Sequence, residues 1–326
     1  MNTTPLVSVL IPVYNVEKYI ERCARSVFEQ TYENIEYIFV DDCTPDNSFT
    51  ILMNVLEDYP QRASHVRIVK HEQNEGIAVG RNTAISNATG DFIFFIDSDD
   101  YLEADAITAL VEMQKQTNAD IVTGQKLIND DGIDTRFVEP IYKDKDEMLM
   151  SILSNVWHHE ITDRLIKRSL FTDNNIRALP HVNICEDWQL SAKVVYYADK
   201  CVTLNRPTYH YMYNPCSLVH SNNDWIKEKN AYNWEFLSLD NLVSFFKGTK
   251  YEGTINSLFA RRLSDMIDIG VKNHDKGFFE KCKSRMLSIP SKYRQCISKK
   301  KQFCINSGYG VTSLFLFLHH LRQMLK

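Results

Sequence analysis

Asp91-Phe-Ile-Phe-Phe-Ile-Asp97-Ser-Asp99-Asp100 closes an apolar run with a serine and three acids. A strand buried on both faces of a sheet reads as unbroken apolar sequence, because neither side meets water. Open α/β sheets bind their ligands outside the carboxyl ends of such strands. Two carboxylates one residue apart on a turn can hold a hard divalent cation, and that cation can grip a diphosphate. Asp is also common in turns of any kind, so the cluster has to be read with its neighbours.

Outward from that strand the chain alternates. Leu6 to Ile11 reads as a first strand stopped by Pro12, followed by a helix that Asn15 can cap, with Glu17 in its first turn. Tyr19, Ile20, Cys23, Ala24, Val27 and Phe28 fall at helical spacing. Ile35 to Val40 is a second strand, Asn47 or Ser48 opens a second helix, and Val66 to Val69 is a third strand. A helix from Ile77 to Ala88 ends near Gly90, which suits a C′ position. After the acid cluster come a helix over Ala104 to Gln116 and a strand over Asp120 to Thr123. This order predicts an α/β fold, a Rossmann-like, mostly parallel sheet flanked by helices. From Trp225 the pattern is helical: Trp225, Trp234, Leu237, Leu242 and Phe245 mark one helix, and Leu258, Phe259, Leu263, Met266 and Ile267 a second.

With 326 residues, 44% apolar and 24% charged, the chain has the composition of a globular protein of one or two domains. The eight cysteines form no CxxC pair, which argues against a zinc site and fits free thiols in a reducing cytoplasm. The short polar Met1 to Pro5 segment does not read as a signal peptide. The net charge of −5 hides a split. Residues 281–326 hold ten Lys or Arg and no acid, leaving 27 basic against 42 acidic side chains, a net −15, in residues 1–280. A nucleic-acid role does not fit so acidic a body.

Five constellations carry chemistry. Pro12-Val13-Tyr14-Asn15 lies at the edge of the first strand, where Tyr14 can stack on a nucleobase or pack on the following helix. Asp41-Asp42 ends the second strand, where an acid can accept from a base or ribose. No GxGxxG follows the first strand, which argues against a nicotinamide or flavin domain. In Asn74-Glu-Gly76-Ile-Ala-Val-Gly80-Arg81-Asn82, Arg81 can reach a phosphate or the acid cluster, or lie on the surface. In Cys185-Glu186-Asp187-Trp188, a carboxylate beside Trp is partly desolvated and suits a general base; acids also favour a first helical turn. The aromatic segment 207–220 offers His210 and His220 as further metal ligands or as packed side chains.

VSVLIPVYN, EYIFVDDCTPDNS, NEGIAVGRN, FIFFIDSDDYL and CEDW, in that order over residues 5–220, resemble family 2 glycosyltransferases of the GT-A fold. The resemblance implies inverting transfer from a nucleotide-sugar, with a UDP-sugar as the expected donor and Mg²⁺ or Mn²⁺ as cofactor. It places Pro12, Tyr14 and Asp42 around base and ribose. It places Arg81, Asn82, Asp97 and Ser98 along the donor pocket, and Asp97 and Asp99 at the metal, with His220 as an extra ligand. It makes Asp187 the base, with Glu186 beside it. Two departures stand out: Gly80 replaces the usual Ala, and Arg164 replaces Lys in a stretch whose Trp is displaced to Trp157. The acceptor expected from the family is a saccharide or lipid-linked saccharide, in cell-surface polysaccharide synthesis.

The expected domains are 1–220, with a nucleotide-sugar half (1–125) and an acceptor half (126–220), and a helical region over 221–326. In that region Lys292, Arg294 and Lys299 to Lys301 precede Val311, Leu314, Phe315, Leu318, Leu321 and Leu325 at helical spacing. This tail suits an anionic membrane surface, hence a location peripheral to the inner face of the plasma membrane, or else docks on the body. From the residues alone, a sugar nucleotidyltransferase and a catalytically silent protein of the same fold remain alternatives.

Overall fold

The computed structural model describes residues 4–130, 133–137, 140–154, 159–214 and 225–324. Four parallel strands, β1 (Val7–Val13), β2 (Ile35–Asp41), β3 (Val66–Lys70) and β4 (Phe92–Phe95), stand in the order β3-β2-β1-β4. Helices α1 (Ile20–Phe28), α2 (Ser48–Glu57), α3 (Pro60–Ala63) and α4 (Ile77–Asn87) make the crossovers. After the acid cluster come β5 (Tyr101–Leu102), α5 (Ala106–Thr117), β6 (Ile121–Asp130), β7 (Ile133–Phe137) and α6 (Lys145–Ser154). They are followed by β8 (Arg164–Lys167), α7 (Ser169–Asp173), α8 (Glu186–Tyr197) and β9 (Cys201–Met212).

The sheet is mixed. β8 is wedged antiparallel between β4 and β6, β9 pairs parallel with β6, and β5 pairs antiparallel with β9. β7 closes a hairpin on β6. Among the described residues six of the nine strands share one direction, so the parallel character holds while β5, β7 and β8 run against it. β6 runs through the 125/126 line, and one sheet spans both sides of it.

β1 is buried at every position, and alternation sends Val7, Val9, Ile11 and Val13 to the face covered by α1 and α5. There Phe28 lies edge-on to Tyr37 (5.1 Å) and near Phe39 (6.0 Å). α4 covers the other side of β1 and β2.

Three local expectations need correcting. Pro12 does not stop β1; the strand continues to Val13, with Pro12 in register with Val40. Asn15 does not cap α1, which starts at Ile20. It takes φ 55°, and its N–H donates to Thr44 Oγ1 (2.8 Å) while Val16 N donates to Ser48 Oγ (3.1 Å), tying the β1 and β2 loops together. Gly90 is no left-handed C′ residue. A Cβ there would stand 2.7 Å from Leu6 O and from Ser8 Oγ, so close approach of the chain to β1 is what excludes a side chain.

Gly80, in contrast, has room: a Cβ would meet only Pro12 Cβ at 3.5 Å. Gly80→Ala is therefore expected to stabilise the protein by about 0.5–1 kcal/mol, through helix propensity. Thermal unfolding checks this, and a lower Tm would show that α4 does not pack as described.

Beside Gly90, Glu36 accepts from Ser8 Oγ (2.5 Å), Thr89 N (2.6 Å), Thr89 Oγ1 (2.9 Å) and Gly90 N (3.0 Å). Burial works to raise its pKa, but these four donors outweigh it and hold the carboxyl below its ordinary value. A lowered folded pKa stabilises above the unfolded value and fades as pH falls through the folded one. Glu36→Gln is thus expected to cost about 2 kcal/mol at pH 7. The difference from wild type should shrink below about pH 4, as read by urea unfolding at both pH values.

The chain divides into two compact units, Met1–Ile152 with Val156–His220, and Leu153–Asn155 with Ser221–Lys326. The second contains α9 (Trp225–Phe245), α10 (Glu252–Lys272), α11 (Lys276–Ser288), α12 (Lys299–Ser307) and α13 (Tyr309–Met324). Leu258, Phe259, Leu263, Met266 and Ile267 bury one stripe of α10, while Arg262 pairs with Glu235 of α9 (Nη2–Oε2 2.9 Å). Asp275 caps α11 by accepting from Phe278 N (2.8 Å). Among the described residues no helix is long and apolar enough to cross a membrane, and the described cysteines are free thiols.

Candidate active site

The acid cluster sits where β4 ends. Its turn is held from below: Asp100 is buried and accepts from Tyr209 Oη (2.6 Å) and Met212 N (2.8 Å) of β9. Tyr209 Oη also accepts from Asp97 N (3.2 Å). Asp100 is thereby an anchor. Its neighbours Asp97 and Asp99 stay partly exposed, while Ser98 is buried.

Asp99 accepts from Asn214 Nδ2 (2.9 Å), and its carbonyl accepts from Arg22 Nη2 (3.2 Å). Burial raises the Asp99 pKa, and the charge of Asp97 raises it further. Asp97 spends one oxygen on Arg81 Nη2 (2.9 Å). Opposed carboxylates of this kind are relieved by a cation. The donors are oxygens only, which fits Mg²⁺ or Mn²⁺. Among the described residues no group of three His, Cys, Asp or Glu converges on one point. Among the described residues Asp97 and Asp99 are the ones that would hold it, with positions left for other ligands.

Arg81 ties this cluster to the start of α8. It is 4% exposed, and Nη1 lies 3.0 Å from Glu186 Oε1. Its Nε and Nη1 are both buried with no hydrogen-bond partner among the described residues, so the link to Glu186 is an ion pair and not a hydrogen bond. Burial pushes the Glu186 carboxyl up to about 8, with Arg81 pulling it down and Asp187 adding to the rise. Asp187 is less buried, and its Oδ1 accepts from Trp188 N (2.7 Å). Trp188 is an internal wedge, 2% exposed, donating from Nε1 to Ile152 O (3.1 Å). Of the two acids, Glu186 is committed to Arg81 and Asp187 has the accessible carboxylate.

The remaining expected residues divide. Tyr14 is 44% exposed beyond the end of β1, free to offer its ring. Pro12 is buried beneath it, facing Gly80. Asp42 is nearly buried, and its oxygens accept from Glu75 N (2.9 Å) and Gly76 N (2.8 Å) and pair with His71 Nδ1 (2.7 Å). In this structure Asp42 shapes the loop that opens α4.

Gly76 needs its φ of 87°, and a Cβ there would overlap Asn183 at 2.2 Å. Asn82, expected along the donor pocket, makes two amide bonds to Ala178, donating to O and accepting from N (both 2.9 Å). It fastens α4 to the segment before α8. Of the two alternatives the sequence leaves for His210, the structure shows the packed one, with the ring stacked on Tyr101 (4.0 Å) and paired with Glu103 (2.8 Å). His220 and Trp157 lie outside the described residues. Arg164 is buried in β8. Tyr209 and Asn214, both in the aromatic segment 207–220, support the acid cluster, and so does Arg22, whose place on α1 carries no sign of it in the sequence.

A family profile described as Glycosyl transferase family 2 matches residues 8–174. The chain belongs to this family, and its fold is GT-A. It is 32% identical over 223 residues to an uncharacterized glycosyltransferase, EpsJ, of Bacillus subtilis, covering 66% of this chain and 63% of that one. It is 28% identical over 250 residues to a poly(ribitol-phosphate) beta-glucosyltransferase of Bacillus spizizenii, covering 76% of this chain and 37% of that one. The chain thus spans less than two thirds of either relative. Among solved structures, S. aureus TarS 1-349 in complex with UDP-GlcNAc superposes with a TM-score of 0.73 at 18% identity, covering 94% of this chain and 88% of that one.

Proposed function

We propose that this chain transfers a hexosyl or N-acetylhexosaminyl group from a UDP-sugar to a hydroxyl of a saccharide or lipid-linked saccharide, with inversion, in cell-surface polysaccharide synthesis. The observation that carries the reading is Arg81. One buried guanidinium joins Asp97, at the expected donor side, to Glu186, the neighbour of Asp187. The two halves of a single displacement are thereby set in one frame. The glycosyltransferase relatives support the class of reaction, and the UDP-GlcNAc complex of TarS supports UDP.

In this reading Tyr14 faces the base, and Arg81 carries positive charge beside the acids that face the diphosphate. A Mg²⁺ or Mn²⁺ held by Asp97 and Asp99 would neutralise charge building on the leaving nucleotide. Asp187 takes the proton from the acceptor hydroxyl as its oxygen attacks the anomeric carbon from the face opposite the nucleotide. One displacement of this kind inverts that carbon.

Release of UDP from a panel of UDP-sugars, with Mn²⁺ and candidate acceptors, tests the assignment. Turnover is expected with wild type and is expected to fall at least 10²-fold in Asp99→Asn. Pyrophosphate release from UTP and a sugar phosphate, or UDP binding without turnover across donors and acceptors, would contradict it.

A further inference from the structure

The end of the second unit carries a surface that sugar transfer does not explain. α12 and α13 each have a buried side. Cys304 and Ile305 of α12 and Thr312 of α13 are buried, Tyr309 meets Phe279 edge-on (5.3 Å), and Lys301 pairs with Asp268. Thr312 Oγ1 donates to Cys304 O (3.0 Å), locking the two helices together across Gly308. Docking therefore uses one side of the hairpin only.

The other side leaves large apolar groups in water. Phe303 is 66% exposed, Val311 42% and Leu314 58%. Val311, Leu314 and Phe315 share one helical face by spacing. Lys300 of α12 reaches over the Phe315 ring, Nζ 4.9 Å from its centroid, so the exposed sides of both helices meet. Lys299 and Lys300 are exposed and have no carboxylate partner among the described residues. The charge is one-sided, since residues 281–326 contain ten Lys or Arg and no acid. Leu318, Leu321 and Leu325 continue the spacing in the sequence; their side chains lie outside those described.

We propose that the exposed face of α12 and α13 docks this chain on an anionic lipid surface, with Phe303, Val311 and Leu314 entering the interface and Lys299 and Lys300 facing the headgroups. Protruding apolar side chains with Lys299 and Lys300 exposed on the same hairpin, and no acid in the segment, match the chemistry of a negatively charged bilayer. A nucleic acid would meet the same lysines but offers nothing to Leu314 and Val311, and the remaining 280 residues are strongly acidic. The proposal does not depend on the transfer reading, because lipid binding is measured without substrate.

The test is cosedimentation of the full chain with phosphatidylcholine vesicles, with and without phosphatidylglycerol. Binding is expected only with phosphatidylglycerol and should weaken as salt rises. Lys299→Gln with Lys300→Gln should lower the partition coefficient roughly thirty-fold. Phe303→Ser with Leu314→Ser should lower binding at every salt concentration with Tm unchanged, since both side chains are already in water. Absence of binding to the anionic vesicles, or binding indifferent to both pairs of substitutions, would overturn the proposal. So would a wild-type dimer, seen by analytical ultracentrifugation, that Leu314→Ser converts to monomer, for then a second copy covers this face.

Discussion

Asp187→Asn lowers turnover by about 10²- to 10⁴-fold while UDP binding and Tm stay as in wild type. The expectation follows from the division of labour at the start of α8. Glu186 is buried against Arg81, and its proton affinity is set by that burial. Asp187 is more accessible, and the hydrogen bond its Oδ1 accepts from Trp188 N can be kept by an Asn oxygen. The substitution removes the proposed proton acceptor and little else. Steady-state kinetics with saturating donor, alongside UDP titration, separate the outcomes. A loss confined to KM for the donor would move Asp187 out of the base role and into donor binding.

Arg81→Leu destabilises the fold by about 3–5 kcal/mol. Arg81 is 4% exposed and is held between Asp97 Oδ1 and Glu186 Oε1 at 2.9 and 3.0 Å. Removing it leaves the partly exposed Asp97 carboxylate without its partner and beside Asp99, and leaves Glu186, whose carboxyl burial already pushes up to about 8, with no cation against it. Breaking one partner of a buried ion pair costs more than the pair contributes, because the remaining charge is stranded. Arg81→Lys keeps the charge but has one point of attachment in place of a fork, so stability should return in part and activity should not. Denaturant unfolding of the three proteins decides this. A cost below about 1 kcal/mol for Arg81→Leu would place the pair in the class of surface bridges and remove the shared frame on which the transfer reading rests.

What could be read from the residues was whatever one face or one end of an element dictates. The apolar runs of β1, β2 and β4 and the 3.6-residue stripe of α10 are local patterns, and the structure has them. The acids after β4 are clustered in sequence and remain clustered in space. Other features depend on partners distant in the chain. β8 is four residues, Arg164–Lys167, too short to show a period, yet it separates β4 from β6. Asn82 looks like any polar residue on a helix until Ala178, 96 residues later, meets both ends of its amide. Asn214 acquires meaning only through Asp99, 115 residues earlier. Pro12 reads as a stop by its missing N–H, but β1 continues through it because β2 pairs with it as far as Val13, while the β4 ladder ends at Leu10 and asks no donor of Pro12.

The most direct measurement is a crystal structure with Mn²⁺ and UDP, read by the anomalous signal of the manganese. The account predicts a single metal peak at the Asp99 carboxylate with the diphosphate against it, the uracil by Tyr14, and Asp187 facing the open side of the pocket. Nucleotide bound elsewhere on the chain, or a metal peak remote from Asp97 and Asp99, would contradict it.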